Sequence, residues 1–196
     1  MESIDLKCTK NIVFSHKCRK GEEYQNIKIG IEKCIRYWSY LYFDISEIGS
    51  DKEVVKASLI LFKVPIRIDT DENSKFVYSI VPTMEYVGKY SYYYTNTIEL
   101  EEKMLKDFEV KKNLGYVEID ITEIVKKWND GCLENRGIFI RGKRKSSYIE
   151  FNGNGDNGLD YPFLRVEYKE DKINPNCPDI IKPSIKLPVK IKLKGE

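Results

Sequence analysis

The stretch from Tyr116 to Arg141, YVEIDITEIVKKWNDGCLENRGIFIR, changes its hydrophobic period twice, and few backbones accommodate both changes. Val117, Ile119 and Ile121 alternate with Glu118 and Asp120, which places the apolar set on one face of a strand. At Thr122 the alternation gives way to helical spacing, with Ile121, Ile124, Val125 and Trp128 on one side and Asp120 or Thr122 placed to cap the first free N–H groups. Roughly two turns fit before Asp130 and Gly131. Gly131 is the residue best suited to the left-handed conformation that closes a helix C-terminus. Ile138, Phe139 and Ile140 then begin another strand, so the spacing predicts strand, helix over about 122–129, turn, strand.

The remaining segments read mostly as strands. TKNIVFS (9–15) and NIKIGI (26–31) alternate on either side of a charged loop and predict an opening hairpin. The strand from Cys34 to Asp44 is apolar on both faces, with Ile35, Leu41 and Phe43 on one and Trp38, Tyr40 and Tyr42 on the other. Two readings of the aromatic face stand side by side: a second layer or a long loop covers it, or it is a platform for sugars. VVKASLILFKV (54–64) is the next strand, ended by Pro65, and IRIDT and KFVYSIV read as strands after it. Extended, KYSYYYTNT puts Tyr90, Tyr92 and Tyr94 on one face, where they either fill a half-buried strand or stack on sugars. Leu100, Met104, Leu105 and Phe108 fall at helical spacing and predict a short surface helix. Lys143, Arg144 and Lys145 read as a solvated hairpin tip, with an anion or polysaccharide contact as the other reading. In the turn-rich NGNGDNGLD, Asp156 and Asp160 offer oxygen ligands for calcium, but their spacing does not match an EF-hand, and no metal or other cofactor is expected.

Asp120, Ile121, Thr122, Val125, Trp128, Gly131, Asn135 and Gly137 resemble the signature DVT..V..W..G...N.G of DNRLRE-type domains and of the related jelly-roll propeptides of transforming growth factors. RYWSYLYFDISEIGSDKEVVKASLILF (36–62) and YPFLRVEY (161–168) resemble that family's earlier and closing segments, in the family's order, so the likeness runs from about Cys8 to Tyr168. Asn152, Gly153 and Asn154 follow Phe151 where the family has Ser-Arg-Glu, so any role of that motif does not carry over. The resemblance implies an all-β, antiparallel jelly-roll β-sandwich with one short helix, used as a non-catalytic module on cell surfaces or beside polysaccharide-degrading domains. The expected organisation is one domain over 1–170 and an extended Pro/Lys-rich tail over 171–196.

Composition narrows the function further. A chain of 196 residues, 41% hydrophobic, supports one sizeable core. Its 33 basic and 31 acidic residues nearly cancel, which argues against nucleic acid or an anionic membrane as a partner of the whole chain. The tail is the exception: from Lys172 onward six lysines face two acids, a net +4 against +2 for the whole chain, so the rest carries −2. Within it Ile185, Leu187, Val189, Ile191 and Leu193 alternate with lysines and Pro188, the pattern of a strand placed at a sheet edge and suited to adding to a neighbour's sheet. Five cysteines are an odd number, so at least one is free or paired with another chain; five reduced thiols are one reading, and in the other Cys177, Cys8 and Cys18 are the candidates for an intermolecular disulfide. No stretch is long and apolar enough to span a bilayer, and the first residues lack a signal-peptide pattern, so membrane insertion is not expected.

One histidine, no phosphate-binding glycine loop and no serine or cysteine triad leave little for catalysis, and a non-enzymatic role is expected. Two functions then compete. The first is a structural subunit of a cell- or spore-surface appendage, made in the cytoplasm without a signal peptide, that associates with itself through the tail strand and intermolecular disulfides. The spore surface enters by analogy, from a Lys-, Ile-, Asn- and Tyr-rich composition typical of AT-rich genomes. The alternative is a carbohydrate-binding module that recognises a polysaccharide through Trp38, Tyr40, Tyr42 and the Tyr90, Tyr92, Tyr94 cluster.

Overall fold

A computed structural model describes residues 1–17, 26–65, 76–88, 91, 98–111, 113–143, 146–153 and 160–170. Its strands are β1 (Glu2–Ser15), β2 (Asn26–Glu32), β3 (Ile35–Phe43), β4 (Glu53–Phe62), β5 (Val77–Pro82), β6 (Lys106–Glu109), β7 (Tyr116–Asp120), β8 (Ile138–Gly142), β9 (Ile149–Asn152) and β10 (Phe163–Lys169), with one α-helix, α1 (Thr122–Asn129), between β7 and β8. The fold is all-β, and the strands pair antiparallel throughout.

β1 is long enough to serve two layers. Glu2 to Lys7 pair with β10, whereas Cys8 to Ser15 pair with β3, and the register shifts between Cys8 and Lys10, where the strand passes from one layer to the other. The first layer runs β1, β10, β4, β7 and the second runs β1, β3, β8, β5, β6, with β2 bridging β3 and β9. Apolar side chains from the inward faces of both layers, among them Leu59, Leu61, Ile119 and Val166 from one and Leu41, Phe43, Ile138 and Ile140 from the other, form the main core between them. A second cluster lies on the far side of the second layer. There Ile12, Phe14, Trp38, Tyr40, Val81 and Phe139 are covered by Val87, Ile98 and Leu100.

Two local expectations are corrected. The opening hairpin does not form: β1 and β2 both pair with β3, and the tight turn lies between β2 and β3 at Lys33 and Cys34, both at positive φ, 45° and 65°. A two-residue turn with both φ positive has the twist that antiparallel strands need, and that turn chooses the partner. The predicted surface helix over 100–108 is a single 3-10 turn, Glu102–Met104, followed by β6, whose Lys106 to Glu109 pair with Ile80 to Val77 of β5. Backbone pairing along a sheet edge overrides a short run at helical spacing.

The strand-helix-strand unit is where expected. Ile124, Val125 and Trp128 are buried, and Gly131, at φ 70°, follows the helix. The helix N-terminus is built differently from a simple cap. Asp120 Oδ1 accepts from the Thr122 amide at 2.9 Å and from the Thr122 hydroxyl at 2.6 Å, while Thr122 Oγ1 itself accepts from the Ala57 amide at 3.0 Å. Thr122 thereby fastens the helix to β4 rather than capping it. At the other end Asn129 Nδ2 donates to the Lys52 carbonyl at 2.8 Å.

The Thr122 hydroxyl and amide, followed by the Lys106 ammonium, hold Asp120 at about 2, below its ordinary 3.8. A carboxylate depressed in the folded state adds stability above its ordinary pKa, and that stability is lost as pH falls toward the folded value. Asp120 is largely exposed, so solvent screening keeps the effect modest. Asp120→Asn is expected to lower the thermal midpoint at pH 6, and the gap to the native protein should close between about pH 4 and pH 2. A gap that persists at pH 2 would place the stabilisation elsewhere.

Candidate functional site: an aromatic row on the outer sheet face

Alternation dictates which side chains leave the core. In β4, Leu59 and Leu61 point into it and Ile60 and Phe62 point away. In β10, Leu164 and Val166 point in and Phe163 and Arg165 point out, and in β7, Val117 and Ile119 point in and Tyr116 and Glu118 point out. The strand order β10, β4, β7 then sets these outward residues side by side, Phe163 opposite Ile60, Ile60 opposite Glu118, and Phe62 opposite Tyr116. Tyr161, just before β10, joins them at one end.

The result is a row of four rings. Centroids lie 6.3 Å apart from Tyr161 to Phe163, 6.1 Å from Phe163 to Phe62 and 6.3 Å from Phe62 to Tyr116, with planes turned by 65°, 35° and 45° in the same order. Tyr116 is 48% exposed, and the other three are half-buried. Ile60, between Phe163 and Glu118 in the register, is only 7% exposed although it belongs to neither core cluster. A ring that packs on its neighbours and still meets solvent gives a firm apolar surface at low ordering cost.

Charged groups border the row in pairs. Arg165 donates to both oxygens of Asp5, Nε to Oδ1 and Nη2 to Oδ2, each at 2.8 Å, and its Cζ lies 5.3 Å from the Phe163 centroid. The bond to Asp5 pushes the guanidinium pKa further up. Lys56 Nζ meets Glu118 Oε1 at 3.3 Å, and Glu118 is held below the usual carboxylate range first by the Ser58 hydroxyl and then by Lys56. Lys7 places its ammonium 4.8 Å from the Tyr161 centroid. Rings bordered by fixed hydrogen-bonding groups suit a ligand with apolar faces and a rim of hydroxyls.

Of the two readings of the aromatic face of β3, cover rather than an open platform holds for Trp38 and Tyr40. Tyr40 is 1% exposed, its hydroxyl donates to the Arg136 carbonyl at 2.8 Å, and burial pushes its phenol well up. Both side chains belong to the second apolar cluster, which the chain at Val87, Ile98 and Leu100 covers, so neither offers a face to a ligand. Tyr42 is half-buried at the rim of that cluster, its phenol pushed up by burial and then by Asp44. Tyr90, Tyr92 and Tyr94 lie outside the described residues.

Cys8 is 5% exposed within the main core, where its thiol donates to the Lys10 carbonyl at 3.1 Å, and a thiol so placed does not reach another chain. Cys18, Cys177, Asp156 and the tail strand Ile185, Leu187, Val189, Ile191 and Leu193 lie outside the described residues. Asp160 is exposed, and among the described residues no group of three or more His, Cys, Asp or Glu side chains could hold a metal ion. Nor, among the described residues, is any helix long and apolar enough to cross a membrane.

The four rings of the row were not singled out from the sequence. The alternation of YPFLRVEY and YVEID does put Phe163 and Tyr116 opposite the core set, but adjacency appears only with the strand order. Compared with known proteins, the chain matches no family model and no curated protein.

Proposed function

We propose that this protein is a non-catalytic binding module that holds a polysaccharide on the outer face of its first layer. The observation that carries this reading is the row Tyr161, Phe163, Phe62, Tyr116, four neighbouring rings on the outer face of the sheet, three of them half-buried and one 48% exposed. Sugars bury their C–H faces against aromatic rings and their hydroxyls against paired charges, and both surfaces are present here. A non-catalytic role on a cell surface or beside polysaccharide-degrading domains, which the resemblance to DNRLRE-type domains implies, is in keeping with such a site.

Each stacked ring contributes about 0.5–1.5 kcal/mol, so Tyr116→Ala and Phe62→Ala should each weaken polysaccharide retention about 2- to 10-fold. Tyr116→Ala should leave the thermal midpoint almost unchanged, because exposed substitutions rarely move stability by more than about 0.5 kcal/mol. Affinity gel electrophoresis with the full chain measures the retention. Light scattering on the same samples measures self-association. If the substitutions abolish self-association and no glycan retards the protein, the row is a contact between copies, and the appendage subunit replaces the binding module.

A further inference from the structure

The geometry points to a narrower ligand, which rests on the binding-module reading: a single, uncharged glycan chain free in solution, lying over the rings from Tyr161 to Tyr116. Three features of the row select it.

Spacing comes first. Neighbouring rings lie 6.1–6.3 Å apart along a bent path, from Tyr161 to Phe163 along one stretch of chain, then diagonally to Phe62 of β4 and on to Tyr116 of β7. A bent strip one ring wide suits one flexible chain. Parallel chains side by side would need further rings beside these, and the next outward residues on one side are Asp5, Arg165, Ser58 and Asp120.

The second feature is tilt. Successive ring planes turn by 65°, 35° and 45°, the last two between rings on neighbouring strands that twist against each other. A crystalline polysaccharide presents a flat face and needs coplanar rings. A free chain rotates about its glycosidic bonds and offers each ring a differently turned face.

Charge is the third. Arg165 is held by both oxygens of Asp5, and Lys56 is held by Glu118, so these cations are already neutralised. An acidic glycan would have to displace those carboxylates and would meet their repulsion. A neutral one takes the outward N–H groups and oxygen lone pairs as they stand. Lys7, at the Tyr161 end, is one cation beside a border of balanced pairs.

The test is affinity electrophoresis of the full chain through gels containing glucomannan, galactomannan, mixed-linkage glucan or arabinoxylan, with alginate and polygalacturonate as acidic chains, beside sedimentation with microcrystalline cellulose and chitin. The expected result is retardation by at least one neutral soluble chain, unchanged by added salt, with affinity rising up to about four sugars and then levelling. Phe62→Ala should reduce it several-fold. Tyr116→Ala serves the same purpose at an exposed site and keeps the test valid should the Phe62 variant fail to fold. Retention on crystalline polymer without binding to soluble chains, or salt-sensitive binding to an acidic chain, overturns this inference while leaving the binding module standing. No retention by any glycan overturns both.

Discussion

Gly137→Ala is expected to destabilise the protein by roughly 3 kcal/mol, the sum of a left-handed backbone cost and an overpacking cost. Gly137 sits at φ 89°, where L side chains are strained, and an added Cβ would lie 2.6 Å from the Leu41 carbonyl oxygen and 2.6 Å from Tyr40 Cε2. Neither neighbour yields easily. Leu41 is backbone in β3, paired on both sides, and the Tyr40 ring is buried and hydrogen-bonded through its hydroxyl. Asn135 fixes the approach, its Nδ2 donating to the Phe43 carbonyl at 2.8 Å and its Oδ1 accepting from the Gly137 amide at 3.2 Å. Gly131→Ala is the natural control, since φ is 70° there but no atom lies within 4 Å of the added Cβ. It should cost only about 1 kcal/mol, the conformational part alone. Urea titrations of the two variants separate strain from crowding, and equal losses would refute the close approach at Gly137.

Trp128→Ala should cost about 3–5 kcal/mol, the range for deleting a large aromatic from a packed interior. Trp128 is 5% exposed and lies with Ile124 and Val125 on the face of α1 that enters the main core. The indole N–H has no hydrogen-bond partner among the described residues. Trp128→Phe therefore forfeits volume without orphaning an acceptor, and it should cost clearly less than the alanine change. A loss below about 1 kcal/mol for Trp128→Ala in denaturant titration would contradict its role as the wedge beneath the helix.

The helix was legible because its signals are local: alternation to Asp120, helical spacing to Trp128 and a glycine at position 131 all fall within one short stretch. The inward face of β3 was legible for the same reason. Its other face was seen to be apolar, yet the sequence left its cover open, because Val87, Ile98 and Leu100 come from a segment more than forty residues downstream. β6 hides behind helical spacing, and its strand character comes from β5, which it meets edge to edge. The aromatic row is the most non-local element, since Phe62, Tyr116 and Phe163 become neighbours only when β4 is placed between β7 and β10. Each residue faces outward by a rule readable in its own strand. Their convergence depends on pairing partners about fifty residues apart for β4 with β7 and about a hundred for β4 with β10, which no periodicity encodes.

The sharing of β1 between two layers governs the order in which the molecule can be made. The first half of β1 pairs with β10, whose residues are synthesised after nearly all the rest of the described chain. At typical translation rates roughly ten seconds or more separate the emergence of the two strands. During that interval the second half of β1 can already pair with β3, while Glu2 to Lys7 remain an unpaired edge. The acidic and basic residues along that edge, Glu2, Asp5 and Lys7, discourage pairing with other nascent chains until β10 arrives. The first layer can therefore close only after β10 has emerged, so a chain cut before Phe163 should leave the edge of β4 unpaired and be degraded rather than yield a smaller stable domain.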